Sequence, residues 1–214
     1  MNLLFLTQTY PRFEDDTSGP FIRDLARGLV GWGDRVTVLT PHAEGVEESW
    51  DDGGVAVRSF RYAPERLELI GYSRSLSSDE RIRSLAAAVT PLYLRGARRA
   101  VAAELERGSY DLLQGHWVVP NGLVASSFHR RLAVGAGLHG SDVFLAEKPL
   151  VRRWVGRALA RMRCLTGCSP ELVDRVCALG FPRPAARVIP YGVDPARFAP
   201  DPGRRDVWRQ RLGI

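Results

Sequence analysis

The residues of this chain best suited to chemistry fall in three short blocks, each placed just after an apolar run. One is His139-Gly140-Ser141-Asp142. Its histidine can donate to a hydroxyl or a phosphate, its aspartate can accept from an alcohol, and Gly140 permits a sharp bend between them. The competing account of His139 is a loop histidine held by a structural hydrogen bond. A second block is Gly115-His116-Trp117-Val118-Val119-Pro120-Asn121-Gly122. His116 beside Trp117 sets a hydrogen-bonding ring next to a flat apolar face, which suits stacking on a sugar; a core pair bracing a sheet explains the same residues. The third is Ser18-Gly19 ahead of Pro20. A glycine at a helix start lets backbone N–H groups approach a phosphate, although a plain turn glycine serves equally.

Other chemistries find no pattern here. The first apolar run is not followed by G-x-G-x-x-G, there is no G-x-S-x-G turn, and the His and Cys positions lack metal-ligand spacing. Cys164, Cys168 and Cys177 are an odd number without distant partners, consistent with small apolar residues in a reducing cytoplasm. The opening Met1-Asn2-Leu3-Leu4-Phe5-Leu6 lacks a basic leader, and no apolar run nears the roughly 20 residues of a membrane span. Net charge is +6, and every basic residue except Lys148 is an arginine. With no aromatic-basic interleaving, nucleic acid is not expected as a partner. An anionic membrane surface remains open, through Arg81, Arg83, Arg95, Arg98 and Arg99 on one helix and Arg152, Arg153 and Arg157 on another. An ordinary arginine-rich surface is the alternative, so the expected location is the cytoplasm, extending to the inner face of its membrane.

The elements that must hold these blocks alternate. Apolar runs at 3–6, 35–39, 55–60, 111–114, 132–138 and 163–166 predict strands, and 187–189 a last one. Helical spacing follows Pro20 to Gly31, then 82–106 after a Ser77/Glu80 capping box with a bend at Pro91, then 119–130, 149–162, and a helix capped by Ser169 and stopped at Gly180. Residues 62–75 show no period and predict a long loop. Such alternation predicts an α/β, Rossmann-like, doubly wound parallel sheet over residues 1–190. Beyond it, Pro195, Pro200 and Pro202 predict an irregular linker over 191–214.

That linker opens with Ile189-Pro190-Tyr191-Gly192-Val193-Asp194, with Phe198 three residues past Pro195. It resembles the interdomain hinge of the retaining, two-domain (GT-B type) glycosyltransferases that include sucrose synthase and bacterial mannosyltransferases. The His-Gly-x-Asp block at 139–142 and the His-Trp-x-x-Pro-x-Gly block resemble two further motifs of that family. The resemblance implies the N-terminal, acceptor-side half of a GT-B enzyme, with 191–214 leading into a donor-binding domain. It implies transfer from a nucleotide-sugar donor to a glycan or lipid-linked acceptor, without cofactor or metal, and little activity from this half alone. Under it, Ser18 and Gly19 face the donor diphosphate, and His139 lies against the donor sugar with Asp142 on the acceptor hydroxyl. His116, Trp117, Asn121, Gly140 and Ser141 then contact sugar or acceptor. Two other readings stay open: a stand-alone lipid- or glycan-binding module, and a nucleotide-sugar epimerase-like domain.

Overall fold

The computed structural model describes residues 1–72, 80–193, 195 and 198–214, and leaves the side chains of 80–84 aside. Among these residues the chain runs β1 (Asn2–Leu6), α1 (Pro20–Gly31), β2 (Arg35–Pro41), β3 (Ser49–Asp51), β4 (Ala56–Phe60) and α2 (Glu80–Arg107). It continues through β5 (Leu112–His116), α3 (Leu123–Ser126), β6 (Ala133–Leu138), α4 (Ser141–Ala146), α5 (Pro149–Leu159), β7 (Cys164–Gly167), α6 (Pro170–Cys177), β8 (Ala186–Val188) and α7 (Pro202–Leu212). The expected doubly wound α/β sheet is present, in the order β3-β4-β2-β1-β5-β6-β7-β8. Every pairing is parallel except β3 against β4.

The two faces of the sheet are closed unequally. Side chains alternate along each strand. Leu4, Leu6 and Leu113 enter a large core with residues of α2, α3, α5 and α6, whereas Leu3, Phe5 and Leu112 belong to a smaller one with α1. Pro at the first turn opens α1, α5 and α6, and the Ser169 hydroxyl caps α6 by accepting from Leu172 N at 3.4 Å.

Several local expectations change. The helix expected over 119–130 is an irregular turn, in which Gly122 N–H reaches back to the Trp117 carbonyl at 2.9 Å, followed by one helical turn. The Ser126 and Ser127 hydroxyls bond back to Leu123 and Val124 carbonyls, competing with the backbone there. Strand β3 and helix α4 had no clear periodic signal, being three and six residues long. A short helical turn, Glu65–Leu67, interrupts the expected loop, and α2 continues through Pro91. Ser77 of the expected capping box and Asp194 of the hinge motif lie outside the described residues. The tail departs most from expectation. Pro202 starts α7 instead of preventing it, because it sits in the first turn behind Asp201, whose carboxylate accepts from Arg204 N at 3.0 Å.

Candidate functional site

Strand order reverses between β1 and β5, so the crevice at their carboxyl ends is where an open α/β sheet receives ligands. A cleft of about 1250 Å³ runs there along the α1 side of the sheet; its walls include Phe21, Gln114, His116, His139, Thr166 and Tyr191. His116 ends β5 and His139 follows β6, and parallel pairing of these strands brings the two rings together. His116 Nδ1 and His139 Nε2 are 3.2 Å apart, and His139 Nδ1 meets the Tyr191 hydroxyl. Gly137 leaves the room: a Cβ there would stand 3.1 Å from His116 Nδ1 and 3.4 Å from His139 Nε2.

Both rings are neutral. Burial lowers the His116 pKa to about 4; burial, and then the adjacent His116, lowers that of His139 to about 2. Burial, together with the neighbouring Cys168 thiol, holds the Tyr191 phenol well above its usual range, so it stays protonated. One chain of donors fits these states: His116 Nδ1–H to His139 Nε2, His139 Nδ1–H to Tyr191 oxygen, and the Tyr191 hydroxyl toward Cys168. It leaves His116 Nε2 as a bare lone pair, and that atom is the one buried side-chain nitrogen or oxygen without a partner among the described residues. The opposite tautomers would strand an N–H there instead.

The remaining candidates are placed differently. The Asp142 carboxylate, 2% exposed, accepts from Val118 N at 2.7 Å, Gly140 N at 3.0 Å and His139 N at 3.2 Å. It ties the turn after β5 to the turn after β6. Burial outweighs those amide donors and raises its pKa. Asn121 is fully buried, donating to the His116 carbonyl at 2.7 Å and accepting from the Tyr93 hydroxyl at 2.8 Å. Trp117, at φ 66° and 8% exposed, lies against His139 with ring centroids 4.4 Å apart. Asn121 and Trp117 thus brace the histidine pair. Gly140, at φ 119°, turns the chain into α4, whose first residue is Ser141.

Ser18 and Gly19 stand at the rim, between the cleft residues Thr17 and Pro20. Gly19 has φ 72°, and a Cβ there would stand 3.0 Å from Thr9 Cγ2 and 3.3 Å from the Thr9 carbonyl oxygen, so the position favours glycine. In this conformation the Ser18 amide donates to Asp16 and the Gly19 amide to the Thr17 carbonyl, both at 3.0 Å. A phosphate would have to displace these bonds.

Sequence reading missed the post that holds this rim. Buried Asp52 accepts from Tyr10 OH at 2.7 Å, Arg23 Nε at 3.1 Å and an Arg27 amino group at 2.7 Å. Arg23 then donates to the Glu14 and Phe13 carbonyls, both at 3.0 Å, pinning the loop between β1 and α1. Tyr191 was legible only as part of the hinge. No group of three or more His, Cys, Asp or Glu side chains that could hold a metal ion gathers among the described residues.

A family model described as Glycosyltransferase Family 4 matches residues 19–197. No curated protein matches the sequence. Among solved structures, sucrose-phosphate synthase from Thermosynechococcus elongatus superposes with TM-score 0.67 at 14% identity, covering 100% of this chain and 53% of that one. Anabaena HepE (Alr3699) in complex with UDP gives TM-score 0.56 at 18% identity, covering 100% and 50%. An E. coli trehalose-6-phosphate protein bound with UDP-2-fluoro glucose gives 0.58 at 16%, covering 100% and 55%. The chain thus spans about half the length of these three proteins. At such identities they establish the fold, an α/β Rossmann-like domain of the GT-B glycosyltransferase type.

Proposed function

Because the chain belongs to glycosyltransferase family 4, we propose that it forms the acceptor-side half of a two-domain enzyme moving a sugar, with retention, from a nucleotide-sugar donor to a glycan or lipid-linked acceptor. The observation that carries this is the neutral His116–His139–Tyr191 chain at the mouth of the switch-point cleft. A neutral imidazole can orient a sugar hydroxyl without adding charge near the donor diphosphate. His139 is the group that orients the donor sugar, its Nδ1–H passing from the Tyr191 oxygen to a sugar hydroxyl as the ligand displaces the Tyr191 contact. Asp142, engaged by backbone amides, holds the His139 turn in place. Front-face attack needs no strong base, since the departing phosphate oxygen can take the acceptor proton. The reaction is taken to run without a resident metal or cofactor, with charge on the leaving diphosphate met mainly by the other half. Two of the three superposed proteins were solved with UDP or a UDP-sugar, which favours a nucleotide-sugar donor.

In the enzyme carrying both halves, His139→Ala should lower turnover about ten- to a hundredfold, the loss of one or two positioned hydrogen bonds at about 1.4 kcal/mol per decade. Its melting temperature should fall by several degrees at most, the cost of the bonds to His116 and Tyr191, with the folded population intact at the assay temperature. Full turnover per folded molecule would make His139 a structural residue and remove the proposal.

A second part of the reading concerns the acceptor's surroundings. On α5, Leu150 is 88% and Trp154 62% exposed, in a stripe with Arg153 and Arg157. No acidic residue occurs between Lys148 and Glu171. An apolar tip flanked by arginines suits an anionic bilayer surface, where each arginine contributes about 1 kcal/mol, falling with salt. No helix among the described residues is long and apolar enough to cross a membrane, so contact would be peripheral. Flotation with phosphatidylglycerol vesicles at low and high salt tests it. Equal recovery with phosphatidylcholine would leave a plain arginine-rich surface.

A further inference from the structure

A second concavity, of about 440 Å³, opens on the opposite side of the molecule's chemistry, between α2 and the end of β4. Its floor is apolar, formed by Phe60, Tyr62, Leu92 and Ala100, and three guanidinium groups border it: Arg61, Arg95 and Arg99. It shares no lining residue with the large cleft. Close packing builds it. Gly96 lets α2 ride onto the chain at Tyr62, because a Cβ there would fall 2.5 Å from the Tyr62 Cβ.

Among the described residues, two of the charges around it lack the acidic partner that is present lower on α2. Lower on the helix, buried Glu104 accepts from Arg58 at 2.7 Å, Arg107 at 3.3 Å and the Tyr110 hydroxyl at 2.6 Å. At the groove, Arg61 faces His42 at 2.9 Å, Glu65 at 3.6 Å and Glu68 at 3.9 Å. Glu68 is itself held by His42 at 2.8 Å and by the Tyr62 amide at 3.2 Å, so Arg61 is matched by two carboxylates and the uncompensated charge at the groove is that of Arg95 and Arg99. Arg95 and Arg99 have no acidic partner among the described residues. Three and four residues from each along α2 stand only Pro91, Leu92, Gly96, Arg98, Ala102 and Ala103, besides each other. Two like charges at i and i+4 repel, and here a third points into the same concavity.

We propose that this groove is a binding site for a phosphate ester, whose oxygens take the forks of Arg95, Arg99 and Arg61 while the apolar floor receives the body of the ligand. Guanidinium forks match phosphate oxygens in pairs, and the two unpaired arginines supply the charge that a phosphate needs. A phospholipid headgroup and a soluble phosphorylated molecule share this chemistry. The site is independent of the transfer reaction, so either can fail without the other.

The test uses the 214-residue chain and the double variant Arg95→Gln/Arg99→Gln, with Arg130→Gln/Arg131→Gln as a charge-matched control. All four side chains are exposed, and unchanged thermal melting would verify folding. At low salt, calorimetric titration with inorganic pyrophosphate should give saturable binding that weakens at least tenfold in the groove variant and not in the control. Sedimentation with phosphatidylglycerol vesicles then separates the sources. Because the α5 surface can also hold the chain on such vesicles, the comparison is with the control. Weaker retention in the groove variant than in the control assigns a lipid headgroup, and equal retention with lost pyrophosphate binding assigns a soluble phosphate. If the groove variant matches the parent in both assays, the groove is an ordinary solvated face and the proposal falls.

Discussion

Consecutive residues of β5 look into two different environments. Leu113 lies in the face closed by α2, α3, α5 and α6, with no exposed surface, whereas Leu112 lies at the edge of the face covered by α1 and the hinge. The closed face is mainly aliphatic and aromatic, with Asn121 on Tyr93 and Glu104 on Arg58 and Tyr110 as its buried polar exceptions. The open face carries the histidine pair, the Asp52 post and the cleft. Dispersion and burial need no partner of defined geometry, so helices can close one face without regard to chemistry. A ligand needs room, and on the other face polar groups held by one another keep that room open.

The division can be broken by measurement, and the largest effect is expected at the post of the open face. Asp52→Ala strands Tyr10 and two arginines, Arg23 buried among them, and should lower folding stability by about 3–5 kcal/mol in denaturant titration. A change below about 1 kcal/mol would mean that the rim loop stands without it.

Next comes the strand itself. Leu113→Ala should cost about 2–5 kcal/mol, and Leu112→Ala about 1 kcal/mol or less. Equal losses would show both faces to be equally packed.

Acid should act through the open face. The folded pKa values of His116 and His139 lie below the ordinary imidazole value of about 6.5, so the unfolded chain binds more protons between about pH 6.5 and 4. Stability should therefore fall as pH falls through that window, by about 1.4 kcal/mol per pH unit for each ring. Asp142 opposes this, since its raised pKa favours the folded state on protonation. His116→Leu should flatten the profile measured from pH 7 to 5; an unchanged slope would show that the pair is charged or exposed.

The smallest effect belongs to the hinge. Tyr191→Phe removes one partner of His139 and should cost about 0.5–1.5 kcal/mol. It should also alter the His139 ring resonances in NMR while leaving those of the closed face in place. Unchanged His139 resonances would uncouple the hinge from the site.

Much of this was legible beforehand. The apolar runs located the parallel strands, since a strand covered on both sides shows its burial in its own composition. The blocks at 115–122 and 139–142 stood out because polar residues directly followed such runs. The short pieces were not legible: β3, α3 and α4 span too few residues for a period to register. The proline-rich tail misled because proline stops a helix inside but starts one at its first turn.

By itself the sequence determined the alternation of strand and helix, the hinge motif, and which histidines follow strands. These properties are local, set by burial pattern and backbone chemistry over a few residues. Tertiary structure decided what those residues do. Parallel register across β5 and β6 set His116 beside His139, and the returning hinge brought Tyr191 from 52 residues away onto that ring. The same folding turned Asp142 inward, onto three backbone amides. An aspartate two residues past a glycine reads alike whether it faces a ligand or its own backbone. Only the path of the turn after β5, which delivers the Val118 amide, separates the two.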